Sequence, residues 1–148
     1  MKIEEQVLSI EQMKHLQELG VDTSDASMAY YNISRDNQPD KWILGIANIK
    51  VASVMLSNGI TEMEPTYTIG DLIEKLPEEL EIEHKVYCRE IIMFNDLISV
   101  SYYNNVEVKL LFSIDNTDDK KSTLIKLLYK TLCWVAENHK ELLEVRNE

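Results

Sequence analysis

The chain has 148 residues, of which 45% are hydrophobic, and its 26 acidic and 15 basic residues leave a formal net charge of −11. This length predicts one domain, residues 1–148, and the scarcity of glycine and proline argues against disorder. The acidic balance disfavours general nucleic-acid binding, because phosphate contacts require clustered Lys and Arg. No apolar run approaches the roughly 20 residues of a membrane span, and MKIEEQ at the start lacks the pattern of an export signal. We therefore expect a cytoplasmic protein with no membrane partner.

The N-terminal third is predicted to form a helix followed by a β-hairpin. Ser9 is a predicted N-cap with Gln12 three residues later, as a capping box requires, and Gly20 lies where a left-handed cap would end the helix. Two extended segments, MAYYNI (28–33) and KWILGIANIK (41–50), flank a turn-rich stretch and are typical of a hairpin.

The middle of the chain combines an ambiguous apolar segment with a second short helix. Periodicity does not separate strand from helix in a run as short as residues 51–59, and we favour a strand there. Residues 60–65 are predicted to form a connector. The helix then begins after Thr68, its predicted N-cap, with Asp71 at the capping-box position. Residues 78–84, EELEIEH, lead into the next segment.

The stretch from His84 to Asp115 is predicted to be a three-stranded meander around which the rest of the chain is organised. Apolar, β-branched and aromatic residues recur at period two, and Asn95-Asp96 and Asn104-Asn105 supply two-residue turns. The third strand is predicted to begin at Val106. A sheet with one half-polar face needs an apolar layer on the other face, so we interpret the meander as a scaffold whose polar positions face solvent.

The last helix is predicted to start near Asp118 or Asp119 and to run to about Val145. Its apolar stripe, broad enough to cover a sheet, comprises Leu124, Leu128, Leu132, Val135 and Leu142. Leu127 and Trp134 lie off this stripe, and we expect them either to meet the second helix or to form a partner surface. The predicted fold is α+β, in the order α-β-β-α-β-β-β-α. An antiparallel sheet of about five strands, a hairpin plus a three-stranded meander, is covered by a long C-terminal helix, with two shorter helices.

Two stretches, SIEQMKHLQELG and EPTYTIGDLIEKLP, together carry a resemblance to a known family. The chain resembles an uncharacterised family of small proteins from gut Bacteroidetes, their phages and mobile elements. Members open with a LEQAKKLKELG-like helix, continue with an aromatic-rich strand and carry a PTVAELGEMLP-like helix in the middle. The corresponding features here are Tyr30 and Tyr31, and the segment from Pro65 to Pro77. The resemblance implies a cytoplasmic, mobile-element-related protein of unknown function, and it identifies no catalytic residues.

The sequence contains no convincing constellation of catalytic or metal-binding residues. Its three histidines are far apart and lack zinc-site spacing. Strand parity allows His84 and Cys88 to project the same way, next to Glu83, but a reactive thiol needs an electropositive and partly exposed site. We favour a buried core thiol. We therefore predict no catalytic, cofactor or metal site, with a small hydrolase at these three residues as an alternative.

The marked compositional bias is the segment from Glu62 to Glu83, which holds eight acidic residues and one basic residue, Lys75. One interpretation is that these acidic residues simply lie on a solvated surface. The functional interpretation is that they form a negative surface that selects a basic protein partner. The candidate interaction surface comprises Glu62, Glu64, Asp71, Glu74, Glu78, Glu79, Glu81, Leu127 and Trp134.

These features favour a non-enzymatic protein-interaction module of phage or mobile-element origin, with an unknown protein partner. The alternative is an acidic DNA mimic that acts as an anti-defence inhibitor, which requires carboxylates at phosphate-like spacing on one face. The last helix carries Lys126 and Lys130 in its first half and Glu137 and Glu141 in its second half. An antiparallel homodimer could pair these two halves.

Overall fold

The computed structural model describes residues 2–35, 37–60 and 62–144. The fold is α+β, as predicted, but it contains two antiparallel sheets rather than one sheet of about five strands. The strands are β1 (Met28–Asn32), β2 (Trp42–Ile46), β3 (Glu62–Thr66), β4 (Glu79–Ile82), β5 (Lys85–Phe94), β6 (Leu97–Asn104) and β7 (Lys109–Asp115). The helices are a 3₁₀ helix (Ile3–Glu5), α1 (Ile10–Glu18), α2 (Ile49–Ser57), α3 (Ile69–Lys75), α4 (Leu124–Asn138) and α5 (Lys140–Glu144).

The larger sheet has the strand order β4-β5-β6-β7 and contains the predicted meander. Its additional strand, β4, corrects the prediction that residues 78–84 only lead into the meander. Glu83 and His84, both with positive φ, form a two-residue turn that folds β4 back onto β5. Consecutive positive φ values are typical of a type I′ hairpin, for which Asn and Gly are the usual residues. Because Glu83 and His84 are not such residues, this turn has no signal in the sequence.

The second turn of the meander is wider than the predicted two residues, so the third strand begins at Lys109 rather than at Val106. The side-chain oxygen of Asn104 accepts hydrogen bonds from the backbone N–H groups of Val106 and Glu107, at 2.9 and 2.8 Å. A register shift then places Phe112 opposite Tyr102 but Leu110 opposite Tyr103. This bulge places Phe112 and Leu110 on opposite faces, whereas strict period-two alternation would place them on the same face.

The smaller sheet has the order β2-β1-β3. The predicted hairpin is confirmed as β1 and β2, and the predicted connector at residues 60–65 is instead largely β3, which pairs with β1. The buried Tyr31 ring lies against Gly45, where an added Cβ would be 3.0 Å from Tyr31 Cε2. Its hydroxyl donates a hydrogen bond of 2.6 Å to the backbone oxygen of Ile46. Gly45 thus leaves room for the ring that packs on this sheet.

Residues 51–59, for which a strand was favoured, belong mostly to α2, so that prediction is wrong. The helix ends in a Schellman motif: Gly59 has φ +88°, and Ile60 N–H donates to the backbone oxygen of Met55. Gly59 supplies the left-handed residue that this motif requires. The residues that end this segment are therefore typical of a helix end. This signal outweighs the ambiguous apolar pattern before it.

Both predicted capping boxes are formed. Ser9 Oγ accepts from Gln12 N–H at 3.1 Å, and Gln12 Oε1 accepts from Ser9 N–H at 2.9 Å. Thr68 and Asp71 make the same reciprocal pair at the start of α3. Gly20, with φ +87°, ends the first helical segment as predicted.

The C-terminal helix is shorter than predicted and is interrupted at His139. It begins at Leu124, because Asp119 makes a turn before the helix by accepting hydrogen bonds from Lys121 N–H and Ser122 Oγ. Short acidic side chains favour such local turns over helix interiors. The predicted end at Val145 lies outside the described residues.

The main core lies between the larger sheet and the layer formed by α1, α3 and α4. The Arg89 guanidinium, on the helix side of β5, donates to the backbone oxygens of Ile73 and Leu76 at 2.7 and 2.8 Å. Tyr102 on β6 donates its hydroxyl to the backbone oxygen of Pro77 at 2.7 Å. These bonds attach the C-terminal end of α3 to the sheet.

Replacing Thr68 by Ala tests the cap of α3. Because the Thr68 hydroxyl accepts from Asp71 N–H, we expect Thr68→Ala to lower the free energy of unfolding by about 0.5–2 kcal/mol in urea denaturation. Thr123→Ala is the matched control, since the Thr123 side chain makes no capping hydrogen bond to α4, and we expect a change below about 0.5 kcal/mol. Equal losses in the two variants would contradict the assignment.

Alkaline pH should destabilise the fold through Tyr67. Burial, followed by the 2.6 Å hydrogen bond to Asp25, raises the pKa of Tyr67 above its ordinary value. The folded state then holds the proton more tightly than the unfolded state, so stability falls as pH rises above about 10. We expect Tyr67→Phe to reduce this slope in alkaline urea titrations by up to about 1.4 kcal/mol per pH unit. Parallel slopes for the two proteins would refute the role of Tyr67.

Candidate functional site

The face of the larger sheet that points away from α4 is identified by strand register. Tyr102 is buried and stacks on Trp134 of α4 at a ring-centroid distance of 6.3 Å, so its neighbour Tyr103 points the other way. Residues directly opposite one another in an antiparallel pair share a face. This assigns fourteen side chains to the surface that we call the outer sheet face: Glu79, Glu81, Val86, Cys88, Glu90, Ile92, Phe94, Leu97, Ser99, Ser101, Tyr103, Leu110, Ser113 and Asp115.

The outer sheet face carries exposed apolar side chains in two places: Ile92, Phe94 and Leu97 lie near the β5–β6 turn, and Leu110 lies toward the other end, beyond Glu90, Ser99, Ser101 and Ser113. The exposed fractions are 69% for Phe94, 59% for Leu110, 42% for Ile92 and 39% for Leu97. Phe94 and Leu97 are direct cross-strand partners beside the β5–β6 turn. No helix of the described part of the chain covers these side chains. Exposed apolar side chains that lie together, as Ile92, Phe94 and Leu97 do, mark interaction sites in folded proteins.

The outer sheet face is also acidic. Glu79, Glu81 and Glu90 are exposed and form no ion pair with any described residue. Hydrogen bonds from the hydroxyl and N–H of Thr117 lower the pKa of Asp115, which therefore stays ionised. The face thus presents four carboxylates: Glu90 is next to Ile92 on this side of β5, Asp115 lies opposite Ser99, and Glu79 and Glu81 lie on the edge strand β4.

Lys85 and Lys109 do not neutralise these carboxylates, because Glu107, which lies outside the outer sheet face, already engages both of them. Lys85 Nζ lies 3.1 Å and Lys109 Nζ 4.0 Å from the Glu107 carboxylate at the end of the sheet. The hydrogen bond from Lys85 to Glu107 raises the pKa of Lys85, so this lysine stays charged within its pair. The local field of the outer sheet face is therefore negative.

The acidic segment from the sequence does not form one surface. Glu62 and Glu64 lie on β3, Asp71 and Glu74 on α3, and Glu78, Glu79 and Glu81 at β4. Asp71 is engaged internally, since its carboxylate accepts from Ser27 Oγ at 2.7 Å and from Thr68 N–H at 3.0 Å. Among the predicted acidic residues, the structure brings Glu79 and Glu81 to the outer sheet face.

Of the two predicted side chains on α4, one is buried in the core and the other is half-buried. Leu127 is 1% exposed and belongs to the main core, so its assignment to a surface is wrong. The Trp134 ring is half-buried and stacks on Phe112 at a centroid distance of 4.5 Å, with His139 edge-on at 5.2 Å. Helix α4 packs against β6, β7 and α3 together, so a wider arc of its surface is buried than a single sheet would cover. For this reason Leu127 and Trp134, which lie off the predicted stripe, also pack inside the protein.

The exposed apolar residues of the outer sheet face were missed by the sequence analysis, although a signal was present. Ile91-Ile92 and Met93-Phe94 are adjacent apolar pairs, which place apolar side chains on both faces of β5. A strand with one solvated face normally alternates apolar and polar residues, whereas apolar residues on both faces are typical of a strand covered on both sides. The pattern therefore indicated a second contact surface.

A cavity of about 420 Å³ partly unites the residues of the hydrolase alternative. His84 and Cys88 both line it, and Glu83 does not. No hydrogen bond joins His84 to Cys88 among the described residues, whereas a thiol nucleophile and its base must come within hydrogen-bond reach. Within the same part of the chain, no three His, Cys, Asp or Glu side chains are placed to share a metal ion.

A larger cavity of about 1040 Å³ lies at the start of α4. Ile69, Ile98 and Ile125 contribute apolar surface to it. Charged residues of both signs line it as well, including Lys120 and Asp96. A mixed rim of this kind does not select a ligand of one charge.

Comparison with protein-family models, curated proteins and solved structures gives no match for this chain. In the described ranges, none of the helices is both long and apolar enough to span a membrane. The functional assignment therefore depends on the geometry and charge of the outer sheet face.

Proposed function

We propose that this protein is a non-enzymatic protein-binding module whose docking surface is the outer sheet face. The observation that carries this proposal is the exposed apolar cluster of Ile92, Phe94 and Leu97 on a face that also carries four carboxylates. The partner is a protein segment with apolar side chains for this cluster and basic side chains for the carboxylates.

The arrangement matches protein interfaces, in which apolar side chains supply affinity and charged side chains supply orientation. Burying one fully exposed Leu, Ile or Phe side chain is worth about 1.5–3 kcal/mol. Ile92, Phe94 and Leu97 are already partly buried, so each contributes part of this amount toward offsetting the loss of translational and rotational freedom on binding. Phe94 is the expected anchor, because aromatic residues dominate such interfaces energetically.

The DNA-mimic alternative gains no support from the placement of the carboxylates. A mimic needs an array on one face at phosphate-like spacing, whereas the acidic segment is divided among β3, α3 and β4. An origin on a phage or mobile element stays part of the proposal, and its support is the resemblance in the first half of the chain.

Selection from a displayed library of random peptides tests the proposed surface directly. We expect the wild-type protein to enrich peptides that combine apolar with Lys or Arg residues. Phe94→Asp should weaken their binding by roughly 10-fold or more, since it places a charge at the anchor position. Ile3→Asp, an exposed apolar site on the 3₁₀ helix, is the matched control and should bind as wild type does. Enriched peptides of acidic composition, or equal binding by Phe94→Asp, would rule the proposal out.

A small thiol hydrolase is the second candidate, and the cavity shared by His84 and Cys88 is the observation that favours it. In such an enzyme the Cys88 sulfur would attack an ester carbonyl and release the alcohol, and water would then hydrolyse the acyl thioester. This candidate predicts hydrolysis of activated esters that is abolished in Cys88→Ala. Cys133→Ala is the matched control, because burial raises the pKa of the Cys133 thiol and keeps it protonated. Activity that survives in Cys88→Ala would eliminate the candidate.

A further inference from the structure

An asparagine followed directly by a glycine lies at the exposed end of α2. Asn58 is the first residue after the helix, and Gly59 is the left-handed residue of the Schellman motif, with φ +88°. Both residues are exposed to solvent. Asn58 is the one asparagine of the sequence that precedes a glycine.

This pair of residues favours attack of the backbone on the asparagine side chain. The backbone nitrogen of the following residue is placed to add to the amide carbon, Cγ, and a side chain on that residue would crowd the approach. Gly59 has no side chain, and no described atom outside its chain neighbours lies within 4 Å of the position that a Cβ would take. The approach of the Gly59 nitrogen is therefore unhindered.

Hydrogen bonds at the end of α2 hold the two reacting groups apart from each other. Gly59 N–H donates to the backbone oxygen of Leu56 at 3.1 Å, and the Asn58 side-chain amide donates to the backbone oxygen of Val54 at 2.9 Å. The reaction therefore requires the last turn of α2 to open. Opening costs little free energy, because a helix of 9 residues with sparse contacts to the described helices and strands is only marginally stable.

We propose that Asn58-Gly59 is a spontaneous modification site, at which opening of α2 leads to deamidation. In the first step a bond forms between the Gly59 nitrogen and the Asn58 Cγ, and the bond from Cγ to the side-chain nitrogen breaks. The leaving nitrogen takes the proton of Gly59 N–H and departs as ammonia, which leaves a cyclic succinimide. Water then adds across one of the two ring C–N bonds, so the product is aspartate or isoaspartate at position 58.

Neither product supports the helix end that Asn58 supports. The Asn58 amide donates to the Val54 oxygen, whereas a carboxylate has no proton to donate and adds negative charge at the negative end of the helix dipole. Isoaspartate also inserts one side-chain carbon into the backbone, which displaces the Ile60 N–H from the backbone oxygen of Met55. Because ammonia is lost to solvent, each conversion loosens the end of α2 permanently.

Incubation of the full-length protein at mildly alkaline pH tests the site. Peptide mapping by mass spectrometry and enzymatic methylation of isoaspartate measure the converted fraction at each asparagine. We expect conversion at Asn58 to exceed conversion at Asn95, the matched control, which is also exposed and lies in a turn but precedes an aspartate. Asn58→Gln should lose the signal, because a longer side chain forms the ring less readily.

Two variants of the preceding residue test whether opening of α2 limits the reaction. Ser57→Ala and Ser57→Gly both remove the hydroxyl that donates to the Val54 oxygen, so they differ in helix preference alone. Conversion in the folded protein should be roughly 5-fold faster in Ser57→Gly than in Ser57→Ala, since Gly disfavours the helix and Ala favours it. Circular dichroism checks that both variants are folded.

Synthetic peptides of residues 51–61 provide the reference without the rest of the fold. They should convert faster than the protein, and the peptides with Ala and Gly at position 57 should convert at similar rates. Conversion of the wild-type peptide without conversion of the protein would overturn the inference. Conversion at Asn95 that matches conversion at Asn58, or equal rates for the two Ser57 variants of the protein, would overturn it as well.

Discussion

The hydrogen bonds from Arg89 to the carbonyl end of α3 are the interaction on which the arrangement of this protein depends. A helix ends with backbone oxygens that have no partner inside the helix, and a guanidinium satisfies them with charge-assisted hydrogen bonds. Arg89 reaches Ile73 and Leu76 from the middle of the larger sheet. The cation also lies at the negative end of the short helix, where the charge is stabilising.

Fixing α3 on one side of the sheet determines which surfaces stay bare. α3 packs against α4, and α4 packs against β6 and β7, so the helical layer lies on the side of Arg89 and Tyr102. The opposite side of the sheet receives no helix from the described part of the chain. The outer sheet face is therefore a consequence of one-sided packing, and its apolar residues are available to another protein.

The positions of the acidic residues in the fold matter more than their number. The segment from Glu62 to Glu83 supplies a cap to α3 through Asp71 and exposed carboxylates to β3 and β4. Glu79 and Glu81 lie on the same face as Glu90, Asp115 and the apolar cluster of Ile92, Phe94 and Leu97. Charges of one sign guide the choice and orientation of a partner, while apolar side chains supply most of the affinity.

Local interactions were predicted from the sequence because their partners lie within a few residues of each other. The capping pairs Ser9–Gln12 and Thr68–Asp71 and the turn at Asn95-Asp96 needed no knowledge of distant residues. The pairing of β3 with β1 and the burial of Leu127 depend on contacts between distant segments. The exposure of Phe94 depends equally on which side of the sheet α4 covers. Sequence alone therefore determined the α+β class and the ends of the short helices, and the tertiary structure decided the number of sheets and the docking surface, because packing between distant segments sets what is buried.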